Sequence, residues 1–233
     1  MPKTDELFHN GHRERLKQKL LDGKLTSPEK LELLLTYAIP RRDVRPLART
    51  LIEKFGGIYF VLRAPYEELV MVPGIGRNAA IAIKLFHELL LDSYQERAKK
   101  GKYLSDDKFI RDYCRELVAD KTVEEFHILY LDGDSRLIAA EVHNRGTFNQ
   151  VDVYPREVAR KALNLNAISV IMVHNHPVSE NNFSSDDAET TSYVEKCLNM
   201  FGIALVDHFV VTSNGTVHSL RATPFLNKSS FFK

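Results

Sequence analysis

The apolar, branched run Ala167-Ile168-Ser169-Val170-Ile171-Met172-Val173 ends directly in His174-Asn175-His176-Pro177. A run this short and this rich in branched residues predicts a strand buried in the core of a sheet. The two histidines are then expected where that core strand leaves the sheet. Two imidazoles with one residue between them can face the same ion if the backbone is extended or turning. Asp187, eleven residues past His176, can fold back as a third ligand. Two histidines and a carboxylate leave the fourth position of a tetrahedral zinc open to water, the catalytic arrangement rather than the closed structural one. The candidate metal ligands are therefore His174, His176 and Asp187, and the candidate ion is one Zn2+ per chain. Pro177 to Ser185 is polar and broken, so a loop is expected there. Ser184 or Ser185 suits the N-cap of the next helix, with Asp187 in its first turn. A His-x-His pair alone is common and usually structural. The Pro, Ser and Asp at these spacings, behind a core strand, are what turn it toward a metal.

Composition narrows the class. The 233 residues suffice for one large domain or two small ones, and 44% hydrophobic with 27% charged residues describe a soluble globular chain. No apolar run approaches the roughly 18 residues a membrane-spanning helix needs. Met1-Pro2-Lys3-Thr4-Asp5-Glu6 leads into no apolar stretch, so no secretory signal and no membrane partner are expected. Cys114 and Cys197 lie far apart and outside any metal spacing, as expected of reduced thiols in a cytoplasmic protein. Net charge is +1, but residues 1–100 hold 18 Lys and Arg against 13 Asp and Glu, and residues 101–233 hold 14 against 18. The mildly basic front is compatible with nucleic acid and does not require it.

Residues 7–95 read as mostly helical. Leu16, Leu20 and Leu21 recur at helical spacing. Ser27 is the expected cap and Pro28 the first residue of a helix carrying Leu31 to Ala38. Asp43-Val44-Arg45-Pro46 opens another, Leu47 to Phe55, stopped by Gly56-Gly57. A short helix from Pro65 to Val70 and a long one to about Gln95 flank Val72-Pro73-Gly74-Ile75-Gly76-Arg77-Asn78. The charged stretch from Gln95 to Ser105 reads as a linker. Residues 106–225 read as mixed helix and sheet. Helices are expected near 107–117, 154–165 and 186–200, and strands at 126–131, 137–142, 205–212 and 217–220. Asp132-Gly133-Asp134 is an expected hairpin turn.

Val72-Pro73-Gly74-Ile75-Gly76 before a helix reads as the hairpin of a helix-hairpin-helix element. Gly74 and Gly76 let the backbone turn and approach another chain. The helix start offers N–H groups to a phosphate, with Arg77 and Asn78 beside them. Gly74, Gly76, Arg77 and Asn78 are thus the candidate nucleic-acid contacts, and DNA is a candidate partner. The same sequence is also a good way to join two packed helices.

Together these stretches resemble the RadC family. The resemblance rests on Leu137-Ile138-Ala139, Arg145-Gly146-Thr147, Val153-Tyr154-Pro155-Arg156-Glu157-Val158, His174-Asn175-His176-Pro177 and Asp207-His208. Nearer the front, Ser27-Pro28-Glu29 to Leu35 and Val72 to Gly76 also match. It covers about residues 7–223. The family usually reads Pro-Ser-Gly after the second histidine. Here Pro177-Val178-Ser179-Glu180-Asn181-Asn182-Phe183 keeps the length, so Ser184 and Asp187 stay in register. The resemblance implies a fold of the α+β or α/β class. An all-α helix-hairpin-helix domain (1–98) and a linker (99–105) would precede a Jab/MPN, cytidine-deaminase-like mixed-sheet domain (106–225), with a tail at 226–233.

It also implies a JAMM-type zinc hydrolase acting on a protein or peptide substrate, with a Glu at the domain's first strand as general base. Glu124 and Glu125 are the candidates there, the resemblance leaning to Glu124, and Glu141 on the partner strand is the outlying one. Ser184 matches the serine that would donate to the oxyanion, and it can equally be only a helix cap. His208 can hold a ligand in place or simply pack. Arg145 and Arg156 can anchor a substrate anion or be ordinary surface charges. A DNA-repair or recombination accessory with an auxiliary metal, and a scaffold with a structural metal, are the rival readings. Two-metal phosphodiester cleavage needs more carboxylates than this motif supplies. A zinc nucleobase deaminase needs His-x-Glu with Pro-Cys-x-x-Cys, which the chain lacks.

Overall fold

In a computed structural model, residues 4–118, 120–145, 153–180 and 183–223 are described. The chain forms two compact units, residues 1–89 and 90–233.

The first unit is helical: α1 (Thr4–Leu21), α2 (Ser27–Ala38), α3 (Arg45–Phe55), α4 (Ile58–Arg63), α5 (Tyr66–Val70) and the front of α6 (Arg77–Lys100). Leu31, Leu35, Leu47, Leu51, Leu69, Val72, Ile75 and Ile83 fill its core. Thr26, one residue before the expected Ser27, caps α2. Glu29 reaches back to the Thr26 backbone N–H at 2.9 Å and hydroxyl at 3.0 Å, so the reciprocal capping pair sets the start. Gly56 ends α3 with φ 86° while its N–H bonds the Ile52 carbonyl. Of the three leucines expected to share one face of α1, Leu16 is buried, but Leu20 and Leu21 are exposed. The α4 helix, between Gly57 and Pro65, has too few residues for a periodic signal and is not visible in the sequence.

The second unit adds α7 (Asp107–Val118), β1 (Glu125–Leu131), β2 (Leu137–Arg145), α8 (Pro155–Asn164), β3 (Ser169–His176), α9 (Ser185–Asn199), β4 (Ala204–Thr212) and β5 (Val217–Ser219). The sheet order is β2-β1-β3-β4-β5, with β3 and β4 parallel and every other pair antiparallel. A parallel pair needs a crossover, which α9 supplies. Strand alternation sorts the core into two layers. Leu129, Leu131, Ile171, Val173, Phe209 and Val211 meet α7, whereas Phe126, Ile128, Tyr130, Val170, Met172 and Leu205 meet α8 and α9. Among the described residues no helix is long and apolar enough to cross a membrane.

The stretch expected as a linker, 99–105, is not a loop. The α6 helix runs to Lys100, and Tyr103–Ser105 form a turn of 3-10 helix. Its charges occupy the outer face of an amphipathic segment. Ala98 and Leu104 are buried with α7, Glu96 pairs with Lys100 at 3.5 Å, and the Arg97 guanidinium lies 4.7 Å from the Tyr103 and Phe109 ring centres. The β1–β2 hairpin is present, but its left-handed residue is Ser135 (φ 60°), not Gly133. The Asp132 carboxylate accepts the Asp134 and Arg136 N–H groups at 2.8 and 2.9 Å and so builds the turn from its side chain. The expected tail, 226–233, and Gly146-Thr147 lie outside the described residues.

Candidate functional site

His174 and His176 lie at the end of the core strand, as expected, and are themselves part of its pleat. They remain in register with Val210 and Thr212 of β4, because the parallel partner runs on to Thr212 and pairs both. Residues two apart on a strand share a face, so both rings project on the side of α8 and α9. Their Nε2 atoms are 3.0 Å apart. Asp187 arrives from the start of α9, its Oδ1 3.1 Å from His174 Nε2 and its Oδ2 3.6 Å from His176 Nε2. One ligand atom from each residue falls within a 4.8 Å set.

The Asp187 carboxylate has two duties. Ser184 is the N-cap of α9, its oxygen accepting the Asp187 N–H at 3.1 Å. In return Asp187 Oδ2 accepts both the Ser184 N–H and its hydroxyl at 2.7 Å. The capping pair therefore locks the rotamer that aims Oδ1 at the histidines. Burial pushes this carboxyl up, but the adjoining His174 and His176 imidazoles and the hydrogen bonds from Ser184 outweigh it and hold the group well below the usual carboxylate range. Burial drives His174 and His208 the other way, toward the neutral imidazole.

Asn175, between the two histidines, points to the opposite face of β3. Its Oδ1 accepts the Glu125 N–H at 2.8 Å, and its Nδ2 donates to the Val123 carbonyl at 3.0 Å and the Lys121 carbonyl at 3.3 Å. This one amide straps down the segment that carries Glu124, and each buried group it satisfies would cost about 1–3 kcal/mol if stranded. Glu124 is half-buried, and it feels both His176 and Asp187. Burial first, and the Asp187 charge after it, raise its carboxyl above the ordinary value, with His176 opposing. The other two candidate glutamates are engaged elsewhere. Glu125 bonds His127 at 3.1 Å and Arg145 at 3.1 Å, and Glu141 pairs with Lys161 at 2.6 Å.

Around the candidate ligands lie residues with no sequence signal of their own. Phe126 stacks on His174 with ring centres 5.2 Å apart and touches His208 at the same separation, and Phe183 meets His208 edge-on at 5.5 Å. Thr191, four residues after Asp187 and hence on the same face of α9, bonds His208. Arg156 is exposed beside Glu157, away from these contacts.

Gly74, Gly76, Arg77 and Asn78 belong to the first unit. All four are exposed, and Ile75 between them is buried as the anchor of the turn. Gly74 has φ 96°, and a Cβ there would come within 3.1 Å of the Arg42 guanidinium. With Ala38, Ile39 and Ala79 these four line a cleft of about 400 Å3.

A family model described as the RadC-like JAB domain matches residues 104–225, the segment holding every residue of this metal cluster. UPF0758 protein FN0909 of Fusobacterium nucleatum is 35% identical over 219 residues, covering 90% of this chain and 94% of that protein. UPF0758 protein SPO0054 of Ruegeria pomeroyi is 37% identical over 218 residues, covering 92% and 97%. A family model whose match spans the histidine pair and the capped aspartate, together with relatives matched over 90% and 92% of the chain, places it in the RadC family.

Proposed function

We propose that this chain is a zinc-dependent hydrolase of the JAMM type that cleaves peptide or isopeptide bonds. The observation that carries the reading is the convergence of two imidazole nitrogens and a carboxylate oxygen in a largely buried corner of the sheet. Three such acceptor atoms repel one another unless protons or a cation lie between them, and a nitrogen–oxygen donor set suits zinc. His174, His176 and Asp187 would hold the ion. When bound, zinc supplies a water of near-neutral pKa and a Lewis acid for the scissile carbonyl. Glu124, strapped by Asn175, is the general base: it takes the proton of the attacking water and returns it to the leaving amine. The Ser184 hydroxyl now donates to Asp187 Oδ2. As an oxyanion donor it would turn that proton toward the substrate while its oxygen keeps the cap. The free state of Cys114 and Cys197 fits a cytoplasmic location, which goes with the same reading.

The test is metal content by elemental mass spectrometry, wild type beside His174→Ala/His176→Ala. About one zinc per chain is expected in the wild type and none in the variant. A wild type that stays metal-free after zinc is offered and the excess removed overturns the reading.

The first unit favours a second role, contact with DNA through the phosphate backbone. What supports it is the cleft at the start of α6, with Arg42 against Gly74 and Arg77 and Asn78 at its rim. Arg42→Ala/Arg77→Ala should weaken duplex binding and flatten its dependence on log salt concentration by about 0.9 for each phosphate no longer neutralised. An unchanged slope in fluorescence anisotropy removes this role.

A further inference from the structure

Behind the candidate ligands runs a buried chain of hydrogen bonds whose direction is fixed at one end. Thr191 Oγ1 lies 2.5 Å from the Asp187 carbonyl oxygen. A carbonyl carries no proton, and two oxygens come this close only with a hydrogen between them, so the Thr191 hydroxyl donates to that carbonyl. Thr191 Oγ1 is also 2.6 Å from His208 Nδ1. With its own proton committed, the oxygen accepts, and His208 therefore carries its proton on Nδ1. A neutral imidazole then has a bare Nε2. That atom sits 2.8 Å from His174 Nδ1, so His174 donates from Nδ1. The last nitrogen in the chain, His174 Nε2, is left without a proton. It faces His176 Nε2 at 3.0 Å and Asp187 Oδ1 at 3.1 Å. The relay is dry, since Thr191, His208 and His174 are at most 3% exposed. Phe126 and Phe183 hold the two rings in place.

We propose that Thr191 and His208 are positioning residues that fix the tautomer of His174 and so present its Nε2 lone pair to the metal. The inference rests on the reading of His174, His176 and Asp187 as a metal site. It explains why a histidine, and not an apolar residue, is fully buried at position 208: only a side chain that donates at one end and accepts at the other transmits the direction set by Thr191. It also ties two ligands together, because the carbonyl that starts the relay belongs to Asp187. A helix start shifted by a fraction of a turn would misplace the carboxylate and release the histidine tautomer together.

Two measurements decide it. Long-range 1H–15N correlation spectra of the metal-free protein report the His174 tautomer, and competition with a chromogenic chelator reports zinc affinity. The expected wild-type tautomer is Nδ1–H, retained in Thr191→Ser. In Thr191→Val, His208 loses its acceptor, the Nε2–H form of His174 becomes populated, and zinc binds about 10- to 100-fold more weakly, with Thr191→Ser restoring affinity. An Nε2–H tautomer in the metal-free wild type overturns the proposal, as does a folded Thr191→Val that binds zinc as tightly as the wild type. A wild type that takes up no zinc at all defeats the metal-site reading instead. The tautomer, read without metal and without any variant, still tests the relay independently.

Discussion

Replacing Asp187 by alanine should abolish the shift in unfolding temperature that zinc would confer, and it should also lower the stability of the metal-free protein. The two effects come from the two oxygens of one carboxylate. Oδ1 faces His174, and Oδ2 accepts the Ser184 N–H and hydroxyl that start α9. A ligand that binds only the folded state stabilises it by about 2.7 kcal/mol at one hundred times its dissociation constant and about 4.1 kcal/mol at one thousand times. In Asp187→Ala that whole increment disappears. Loss of the capping acceptor costs about 1 kcal/mol in addition, present with or without metal. Ser184→Ala separates the contributions: it forfeits a similar capping increment yet keeps Oδ1, so zinc still raises its unfolding temperature. Differential scanning calorimetry with and without zinc, on the three proteins, gives both numbers. If Asp187→Ala responds to zinc as the wild type does, Asp187 is a helix cap and not a ligand.

The convergence of His174, His176 and Asp187 is legible in the sequence because each of the three has a local signature. The histidines end a branched apolar run, and Ser184 and Asp187 have the spacing of a capping pair. What stays hidden depends on registers that only the folded sheet defines. The parallel partner β4 extends β3 through both histidines, and no feature of residues 167–176 announces how long that partner is. Asn175 reads as a spacer, yet pleating turns it to the far face, where it meets a segment about 50 residues earlier in the chain. Thr191 is an ordinary helical residue until the crossover sets it against His208. The Gln95–Ser105 stretch misleads for the opposite reason. Its charge density reads as a loop, yet it is the outer face of a helix whose inner face, Leu91, Tyr94 and Ala98, packs on the second core. Among Glu124, Glu125 and Glu141 the sequence offers only the resemblance, which leans to Glu124, because the choice turns on which carboxylates the fold has already paired.

Glu124→Gln should retain the wild-type zinc content and lose about 10²- to 10⁴-fold in hydrolysis of a peptide or isopeptide substrate, the usual worth of a positioned general base. An amide of the same shape keeps the packing of the 121–125 strap and removes only the capacity to accept a proton. The neighbouring glutamates make the contrast. Glu125→Gln breaks a buried pair with His127 and a contact with the exposed Arg145, so its cost falls on stability. Glu141→Gln breaks a half-exposed pair with Lys161, a loss of about 0–1 kcal/mol with turnover intact. The pH profile adds a second signature. In the metal-free protein burial and the Asp187 charge raise the Glu124 carboxyl above an ordinary glutamate, whereas a bound zinc ion would pull it down. A base works only when deprotonated, so the wild-type rate still climbs with pH as Glu124 loses its proton, and this acid limb vanishes in Glu124→Gln. Should Glu125→Gln, still folded and zinc-loaded, remove the limb while Glu124→Gln keeps it, the base is the residue one step further along, and the Asn175 strap holds Glu124 for packing alone.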